Sequence, residues 1–241
     1  MIRERLFMPC KAERPFYICL RENIMHRNYY SPAEWENIIA FSKTRETPFL
    51  VVLLDRIQQK FEAFRTNFPH AKIYYAVKSN PGVEVLSLLR DLGSYFDVAS
   101  IYELDRVLNL GVSPDHVSFG NTIKKARHVA EAYDKGVRLF TSDSEADLRN
   151  LAKEAPGSRV FFRVLMDAIT SDADWPLSRK FGCQPRMITD LVLLAADLGL
   201  DPYGVSFHVG SQQREISAWD AAIANVHSLF EWMKGERIYL R

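Results

Sequence analysis

Short apolar segments alternate with amphipathic stretches along this chain from residue 48 onward. The apolar segments are rich in Val, Ile, Phe and Tyr, which favour strands, and several are apolar on both faces, as in strands covered by helices. The predicted strands are residues 48–54, 72–78, 95–100, 116–121, 138–142, 159–166 and 203–211. This regular alternation is typical of βα units around a parallel sheet.

The stretches between the strands carry apolar residues at steps of three and four, the spacing of a helix with one buried face. The two clearest series are Ile57, Phe61, Phe64 and Phe68, and Trp219, Ile223, Val226, Phe230 and Met233. Two tetrads, Ser100 to Glu103 and Ser142 to Glu145, match the capping box, in which a hydroxyl and a carboxylate bind free backbone N–H groups. Both tetrads therefore predict strand-to-helix turns.

The order of these elements predicts an α/β fold, an incomplete (β/α)8 TIM barrel. Six strand–helix repeats are followed by Ile238–Arg241, which resembles the start of another strand, so we interpret the chain as a barrel cut short. An open doubly wound sheet is the alternative fold that this length allows. We divide the chain into an N-terminal segment, residues 1–44, without an assigned function, and a truncated barrel domain, residues 45–241. A polar stretch with a proline, residues 169–180, predicts a long loop.

Composition and charge argue against several kinds of partner. The 31 basic and 30 acidic residues leave a formal net charge of +1, which gives no reason to expect nucleic acid. The three cysteines, Cys10, Cys19 and Cys183, form neither a C-x-x-C pair nor a cluster with histidines, so we expect no metal site and a reducing cytoplasm. No apolar run approaches the roughly 20 residues that span a bilayer, and we expect neither membrane association nor an export signal.

Two residues at the ends of predicted strands are candidates for chemistry. Lys78 closes the β-type run from Ile73, at the end where barrel enzymes build their sites, and a partly desolvated lysine there could form a Schiff base. A solvated lysine at a strand end is the alternative. His208 closes the run that begins at Gly204, and the small residues after it would let a ligand approach the backbone. A histidine buried in the core is the alternative for that position.

Two charged residues lie inside otherwise apolar strands. Asp97 stands within YFDVAS and Arg163 within VFFRV. Buried charges need partners, so either residue could belong to a structural ion pair. Their placement also predicts that both side chains point toward the end of the barrel that carries Lys78.

Five segments together resemble one known family. YYAVKSNP, FDVAS with Glu103 shortly after it, VSFGNTIKK, DWPLSRKFGC and GVSFHVGSQ occur in the order and spacing of the pyridoxal-phosphate-dependent ornithine/lysine decarboxylases. These enzymes are similar to the diaminopimelate and arginine decarboxylases and share the alanine-racemase-like fold, a barrel with a C-terminal β-domain. The resemblance runs from about Ser42 to the end of the chain.

The resemblance implies roles for individual residues. Lys78 would bind pyridoxal 5'-phosphate as a Schiff base, and Asp97 would lie near this lysine. Arg163 would sit at the cofactor ring, His208 would stack on its face, and Ser211 would bind its phosphate. Lys78 and His208 are thus the candidate catalytic residues.

The same resemblance implies a substrate and a partner. The reaction would be decarboxylation of a small basic amino acid, ornithine to putrescine or lysine to cadaverine, in polyamine biosynthesis. FDVAS and LSRKFGC favour these substrates over diaminopimelate, but they do not separate ornithine from lysine. The full-length family forms homodimers, in which Lys180 would join an ion pair across the interface. Residues 48–54 would pair with the C-terminal β-domain.

Parts of the family's site do not occur in this sequence. It contains no Gly-Gly-Gly phosphate loop, no counterpart of the glutamate for the ring nitrogen, and no β-domain with its cysteine, aspartate and tyrosine. We therefore expect the 241-residue polypeptide to be inactive or weakly active. We favour a truncated decarboxylase. The alternatives are a non-catalytic relative that binds a partner decarboxylase or regulator, a barrel-only cofactor carrier, and a relative of diaminopimelate decarboxylase.

Overall fold

The computed structural model describes residues 30–165, 180–211 and 213–240. The predicted loop at residues 169–180 lies outside these ranges except for Lys180. The chain divides into two compact units, Met1–Leu53 and Leu54–Arg241. In the described part of the first unit, helix α1 (Pro32–Ser42) begins with a capping box between Ser31 and Glu34. The predicted domain boundary after residue 44 stays a prediction.

The second unit alternates strands and helices. Its elements are α2 (Leu54–Asn67), β1 (Tyr74–Ala76), α3 (Val83–Asp91), β2 (Tyr95–Val98), α4 (Ile101–Asn109), β3 (Val117–Phe119), α5 (Ala126–Asp134), β4 (Leu139–Ser142), α6 (Glu145–Glu154), β5 (Arg159–Arg163), α7 (Ile188–Asp197), β6 (Asp201–Ser206) and α8 (Ser217–Gly235). Single 3-10 turns lie at Val77–Ser79, Pro114–His116 and Pro185–Met187.

The six strands form one parallel sheet in the order β1-β2-β3-β4-β5-β6. A doubly wound sheet reverses its strand order at a switch point, whereas a barrel adds each new strand to the same edge. Right-handed crossovers in a single direction also place the connecting helices on one face. The predicted barrel-type α/β fold is therefore confirmed, and the doubly wound alternative is wrong.

The alternation of side chains along the strands separates the core from the inner face of the sheet. Phe96 and Val98 on β2 and Phe162 on β5 are fully buried on the face that the helices cover. The residues between them, Asp97 and Arg163 among others, are only partly buried because they project from the opposite face. Each buried phenylalanine stabilises the fold by about 1.5–3 kcal/mol relative to an exposed one. The packed outer face thus leaves the inner face available for polar residues.

The predicted strand at residues 48–54 is wrong. Residues 49–53 adopt no regular structure, helix α2 begins at Leu54, and the side chain of Leu50 is 82% exposed. Apolar composition favours a strand only where a neighbouring strand binds its backbone groups, and no described strand pairs with this segment. The other six predicted strands are present, each shorter than predicted.

The predicted buried faces of two helices need correction. In α8, Trp219, Ile223 and Phe230 are 47%, 55% and 39% exposed. The buried residues of this helix are Ala218, Ala222, Leu229 and Met233. In α2 only Phe61 is buried, whereas Phe64 and Phe68 are both 57% exposed. Leu229 and Met233 belong to the main hydrophobic core and Val226 packs against it, so the predicted face of α8 is confirmed for Val226 and Met233 only.

One capping prediction is confirmed for its hydroxyl, although its carboxylate binds the residue before the cap, and the other prediction is wrong. At the start of α4 the Ser100 hydroxyl accepts the N–H of Glu103 at 3.3 Å, and the Glu103 carboxylate accepts the N–H of Ala99 at 2.7 Å. At the start of α6 the cap is Ser144, not Ser142, and it accepts the N–H of Asp147 at 3.4 Å. Ser142 still belongs to strand β4 and therefore cannot begin the helix.

Candidate functional site

A cleft of about 440 Å³ opens on the inner face of the sheet, and all six strands contribute to its wall. This volume lies in the range of about 300–1,000 Å³ that is typical of small-molecule sites. Among the described residues of the wall, Asp97, Arg163 and His208 are charged or titratable, as are two tyrosines. The sequence predicted that these three residues would come together, and the structure places them around one cavity.

Asp97 is held by two residues of the neighbouring strand. Its Oδ1 accepts a hydrogen bond of 2.7 Å from the hydroxyl of Ser118, which is its register partner across β2 and β3. A Cβ atom at Gly120 would lie 2.0 Å from the same oxygen, so the absence of a side chain there makes room for the carboxylate. Burial raises the pKa of Asp97 to about 6, although the Ser118 hydrogen bond and the charge of Lys78 oppose this.

Lys78 lies in the 3-10 turn directly after β1, at the carboxyl end of the strand, as predicted. Its side chain is exposed, which agrees with the alternative of a solvated lysine at a strand end rather than with a partly desolvated one. Its positive charge nevertheless acts on the pKa of both Asp97 and His208, so the amine lies within electrostatic range of both groups. Lys78 is therefore placed beside the cleft rather than in its wall.

The segment after Lys78 is fixed by hydrogen bonds. The side chain of Asn80 accepts the N–H of Gly82 at 2.9 Å, and the Tyr75 hydroxyl donates to the carbonyl of Asn80 at 3.3 Å. The guanidinium of Arg106 on α4 donates to the carbonyl of Pro81 at 3.1 Å. These contacts restrict the turn that carries the Lys78 amine.

Arg163 ends strand β5 and faces the cleft. Its guanidinium carbon lies 5.2 Å from the ring centroid of Phe181. Burial lowers the pKa of Arg163 from its ordinary value, and the negative charges of Asp143 and Asp97 oppose this effect. An arginine remains charged even so, and it supplies the cleft with a cation that can bind an anionic ligand.

His208 follows β6, and its Nδ1 accepts the N–H of Gly210 at 2.8 Å. Burial lowers the pKa of His208, and the positive charges of Arg163 and Lys78 lower it further. The imidazole is therefore neutral at neutral pH, with Nδ1 as an acceptor and the proton on Nε2. A neutral ring can pack against a flat ligand without adding charge.

Two further predicted residues lie apart from the cleft wall. Ser211 follows His208 in the same loop and is partly buried. Lys180 is exposed, with its Nζ 5.2 Å from the ring centroid of Phe181. Their predicted roles toward a phosphate and toward a second subunit stay predictions.

Sequence reasoning missed Ser118, Gly120 and Asp143. The first two belong to VSFGN, a segment that was used for the resemblance, but their contact with Asp97 depends on strand register. The Asp143 carboxylate accepts the N–H of Gly182 at 2.8 Å, across 39 positions of the chain. These contacts could be predicted only if the register of the neighbouring strands were known.

Comparison with known proteins identifies the class. Residues 54–238 match the family model described as the pyridoxal-binding domain of pyridoxal-dependent decarboxylases. The chain belongs to this family.

Particular relatives include a lysine/ornithine decarboxylase of Selenomonas ruminantium, 37% identical over 196 residues that cover 81% of this chain and 49% of that protein. The ornithine decarboxylase of Saccharomyces cerevisiae is 36% identical over 77% of this chain and 40% of its own length. The chain thus spans about half the length of the curated relatives it matches.

Solved structures agree with this assignment. A double mutant of the enzyme abbreviated SrLDC, in complex with PLP, superposes with a TM-score of 0.79 and 36% identity over 88% of this chain and 54% of that chain. A Chlorella virus arginine decarboxylase gives a TM-score of 0.75 and 29% identity over 83% of this chain and 54% of that chain. The predicted family and the barrel-type fold are both confirmed.

The residues of the cleft fit pyridoxal phosphate, the cofactor of this family. The cofactor needs an amine for its carbonyl carbon, a surface for the face of its ring and a polar group beside the ring, which Lys78, His208 and Arg163 can provide. The hydroxyl oxygen of Thr141, in the cleft wall, is buried without a hydrogen-bond partner among the described residues. A polar ligand in the cleft would offer that hydroxyl a partner.

Among the residues that the structure describes, no helix combines the length and the apolar character needed to cross a membrane.

Proposed function

We propose that this chain is the cofactor-binding part of an enzyme that removes the α-carboxylate of a basic amino acid. The observation that carries this proposal is the meeting of Asp97, Arg163 and His208 in the wall of one cleft, with the charge of Lys78 beside it, in a member of the pyridoxal-dependent decarboxylase family. The names of the relatives support ornithine or lysine as the substrate. A homodimer, with Lys180 at its interface, and a cytoplasmic location belong to the same proposal.

Each of the four residues has a distinct task in this proposal. Lys78 would bind the cofactor covalently through its amine, from a turn that hydrogen bonds restrict. Arg163 would supply positive charge, and the neutral ring of His208 would pack on the cofactor face. Ser211 would bind the phosphate. When bound, the cofactor supplies an electron sink for the electron pair that the departing carbon dioxide leaves behind.

Asp97 would hold or release a proton at its carboxylate oxygens, next to the Lys78 amine. With a pKa of about 6, this carboxyl changes protonation closer to neutral pH than an ordinary aspartate does. The Ser118 hydroxyl binds its Oδ1, and the residue forms part of the cleft wall. Asp97 is therefore suited to exchange a proton with a ligand group that is bound next to the Lys78 amine.

Covalent labelling tests the proposal. The 241-residue chain is mixed with pyridoxal phosphate, reduced with borohydride and digested, and the modified peptides are mapped by mass spectrometry. We expect one dominant pyridoxyl adduct, on Lys78, which disappears in Lys78→Arg. The matched control is Lys153→Arg, since the Lys153 side chain is 80% exposed and lies on helix α6, outside the cleft wall.

Two outcomes would contradict the proposal. Labelling spread evenly over the exposed lysines, or labelling that survives Lys78→Arg unchanged, would show that no cofactor site is present. The expectation that the 241-residue chain by itself turns over little substrate is separate. Rapid release of carbon dioxide from ornithine or lysine by this polypeptide would contradict it.

A further inference from the structure

A buried ion pair lies beneath the rim of the cleft. The Nζ of Lys124 and the Oδ2 of Asp147 are 2.7 Å apart, and their side chains are 0% and 8% exposed. The same Nζ donates to the carbonyl oxygens of Asn121 at 3.1 Å, Thr122 at 3.4 Å and Thr141 at 2.7 Å. An ammonium has three N–H donors, and these four oxygens supply acceptors for all of them, because an unpaired charge in the interior is strongly unfavourable.

Two of the acceptors of Lys124 lie at opposite ends of the turn between β4 and α6. Thr141 is the next-to-last residue of β4, and Asp147 is in the first turn of α6, after its cap Ser144. Asp143 lies between them. The ammonium of Lys124 therefore binds the β4–α6 turn on its strand side and on its helix side. Because it also binds Asn121 and Thr122, it connects this turn to the segment after β3.

Asp143 connects this turn to the cleft. Its carboxylate accepts the N–H of Gly182 at 2.8 Å, and the next residue, Cys183, donates its N–H to the carbonyl of Arg163 at 2.9 Å. Asp143 is also the foremost negative charge acting on the pKa of the Arg163 guanidinium. The position of Asp143 thus affects both the segment 180–183 and the cation of the cleft.

We propose that Lys124 is a positioning residue of this site. By fixing the β4–α6 turn at both ends, it places Asp143, and Asp143 orients Arg163 and fastens the segment 180–183 against β5. The effect of Lys124 on cofactor binding rests on the proposed function, whereas its effect on the segment 180–183 does not. A residue that only stabilised the fold would have neither effect once stability was restored by other means.

The test separates stability from positioning with three variants. Lys124→Met leaves Asp147 buried without its cation and should unfold more readily. The double variant Lys124→Met with Asp147→Leu replaces both charges by apolar groups, which is often neutral for stability, so its unfolding midpoint should return toward that of the parent. The matched control is Lys135→Met, whose partly exposed lysine pairs with Asp105 and Glu131.

Two readouts report on position. The first is the rate at which a thiol reagent labels Cys183, which is 5% exposed, in a background where Cys10 and Cys19 are serine. The second is the affinity for pyridoxal phosphate, measured by fluorescence. In the double variant we expect labelling about tenfold faster and affinity about tenfold weaker, the equivalent of one lost hydrogen bond to a charged group. Lys135→Met should change neither readout.

The labelling readout stays decisive if the proposed function fails. A parent chain that does not bind pyridoxal phosphate at Lys78 would overturn the proposed function, and Cys183 labelling would still decide the positioning role. A double variant with parental labelling would overturn the positioning role. Asp143→Ala provides a second route if the double variant does not fold, since it removes the acceptor of the Gly182 N–H and leaves the Lys124–Asp147 pair intact. Unchanged Cys183 labelling in Asp143→Ala would also overturn the inference.

Discussion

Asp97 and Asp147 are both carboxylates removed from bulk water, but the structure stabilises them differently. Burial raises the pKa of each. The hydrogen-bond donor to Asp97 at 2.7 Å is the neutral hydroxyl of Ser118, whereas Asp147 receives its bond at 2.7 Å from the ammonium of Lys124. Asp97 can change its charge near neutral pH in the wall of the cleft. Asp147 forms an ion pair with Lys124 inside the protein, and this pair fixes the backbone of the β4–α6 turn.

The largest effect is expected from breaking the buried pair. Asp147→Leu leaves the Lys124 ammonium buried with only carbonyl acceptors, and removing one partner of a buried pair destabilises a protein by about 3–5 kcal/mol. Denaturant unfolding followed by circular dichroism measures this change. The control Glu131→Leu removes one partner of the more exposed Lys135 and should cost less than about 1 kcal/mol. Similar losses in both variants would show that the two pairs do not differ.

A smaller effect is expected from the pH dependence that Asp97 confers. Its folded-state pKa of about 6 lies above the value of about 3.9 for an unfolded aspartate. Between these values the folded protein binds more protons than the unfolded protein, so the contribution of Asp97 to stability falls as pH rises through this window. Relative to the parent, Asp97→Asn should therefore gain on the order of 2 kcal/mol between pH 4 and pH 6.5.

Unfolding free energies of both proteins across this pH range check that prediction. A constant difference between parent and Asp97→Asn would mean that Asp97 titrates as an ordinary aspartate. The raised pKa that distinguishes Asp97 from a surface carboxylate would then be contradicted.

The smallest effect is expected at Gly120. An alanine Cβ there would lie 2.0 Å from the Asp97 carboxylate, which must rotate away and lose the hydrogen bond from Ser118. We expect a loss of about 0.5–1.5 kcal/mol and a change in the titration of Asp97, measured by carbon NMR of its carboxyl group. Gly235→Ala is the control, because among the described residues no atom outside its own helix turn and chain neighbours lies within 4 Å of the added Cβ. Unchanged titration in Gly120→Ala would contradict the packing argument.

Much of the candidate site could be predicted because its residues stand at the ends of strands that the sequence pattern reveals. Lys78 and His208 follow β1 and β6, and Asp97 and Arg163 project from the inner face of β2 and β5. The exposure of Lys78 could not be predicted in this way, since burial depends on every element packed around a side chain. The same holds for α8, where Leu229 and Met233, not Trp219 or Ile223, belong to the core.

The sequence by itself determined the order and type of the elements of the second unit and the residues at their ends, because alternation and helical spacing are local properties. Only the tertiary structure decided which charges meet. Ser118 reaches Asp97 across 21 positions, and Asp147 meets Lys124 across 23. Local sequence patterns do not indicate which residues so far apart in the chain will be in contact. The pKa of Asp97 and the burial of Lys124 follow from neighbours that only the folded sheet brings together.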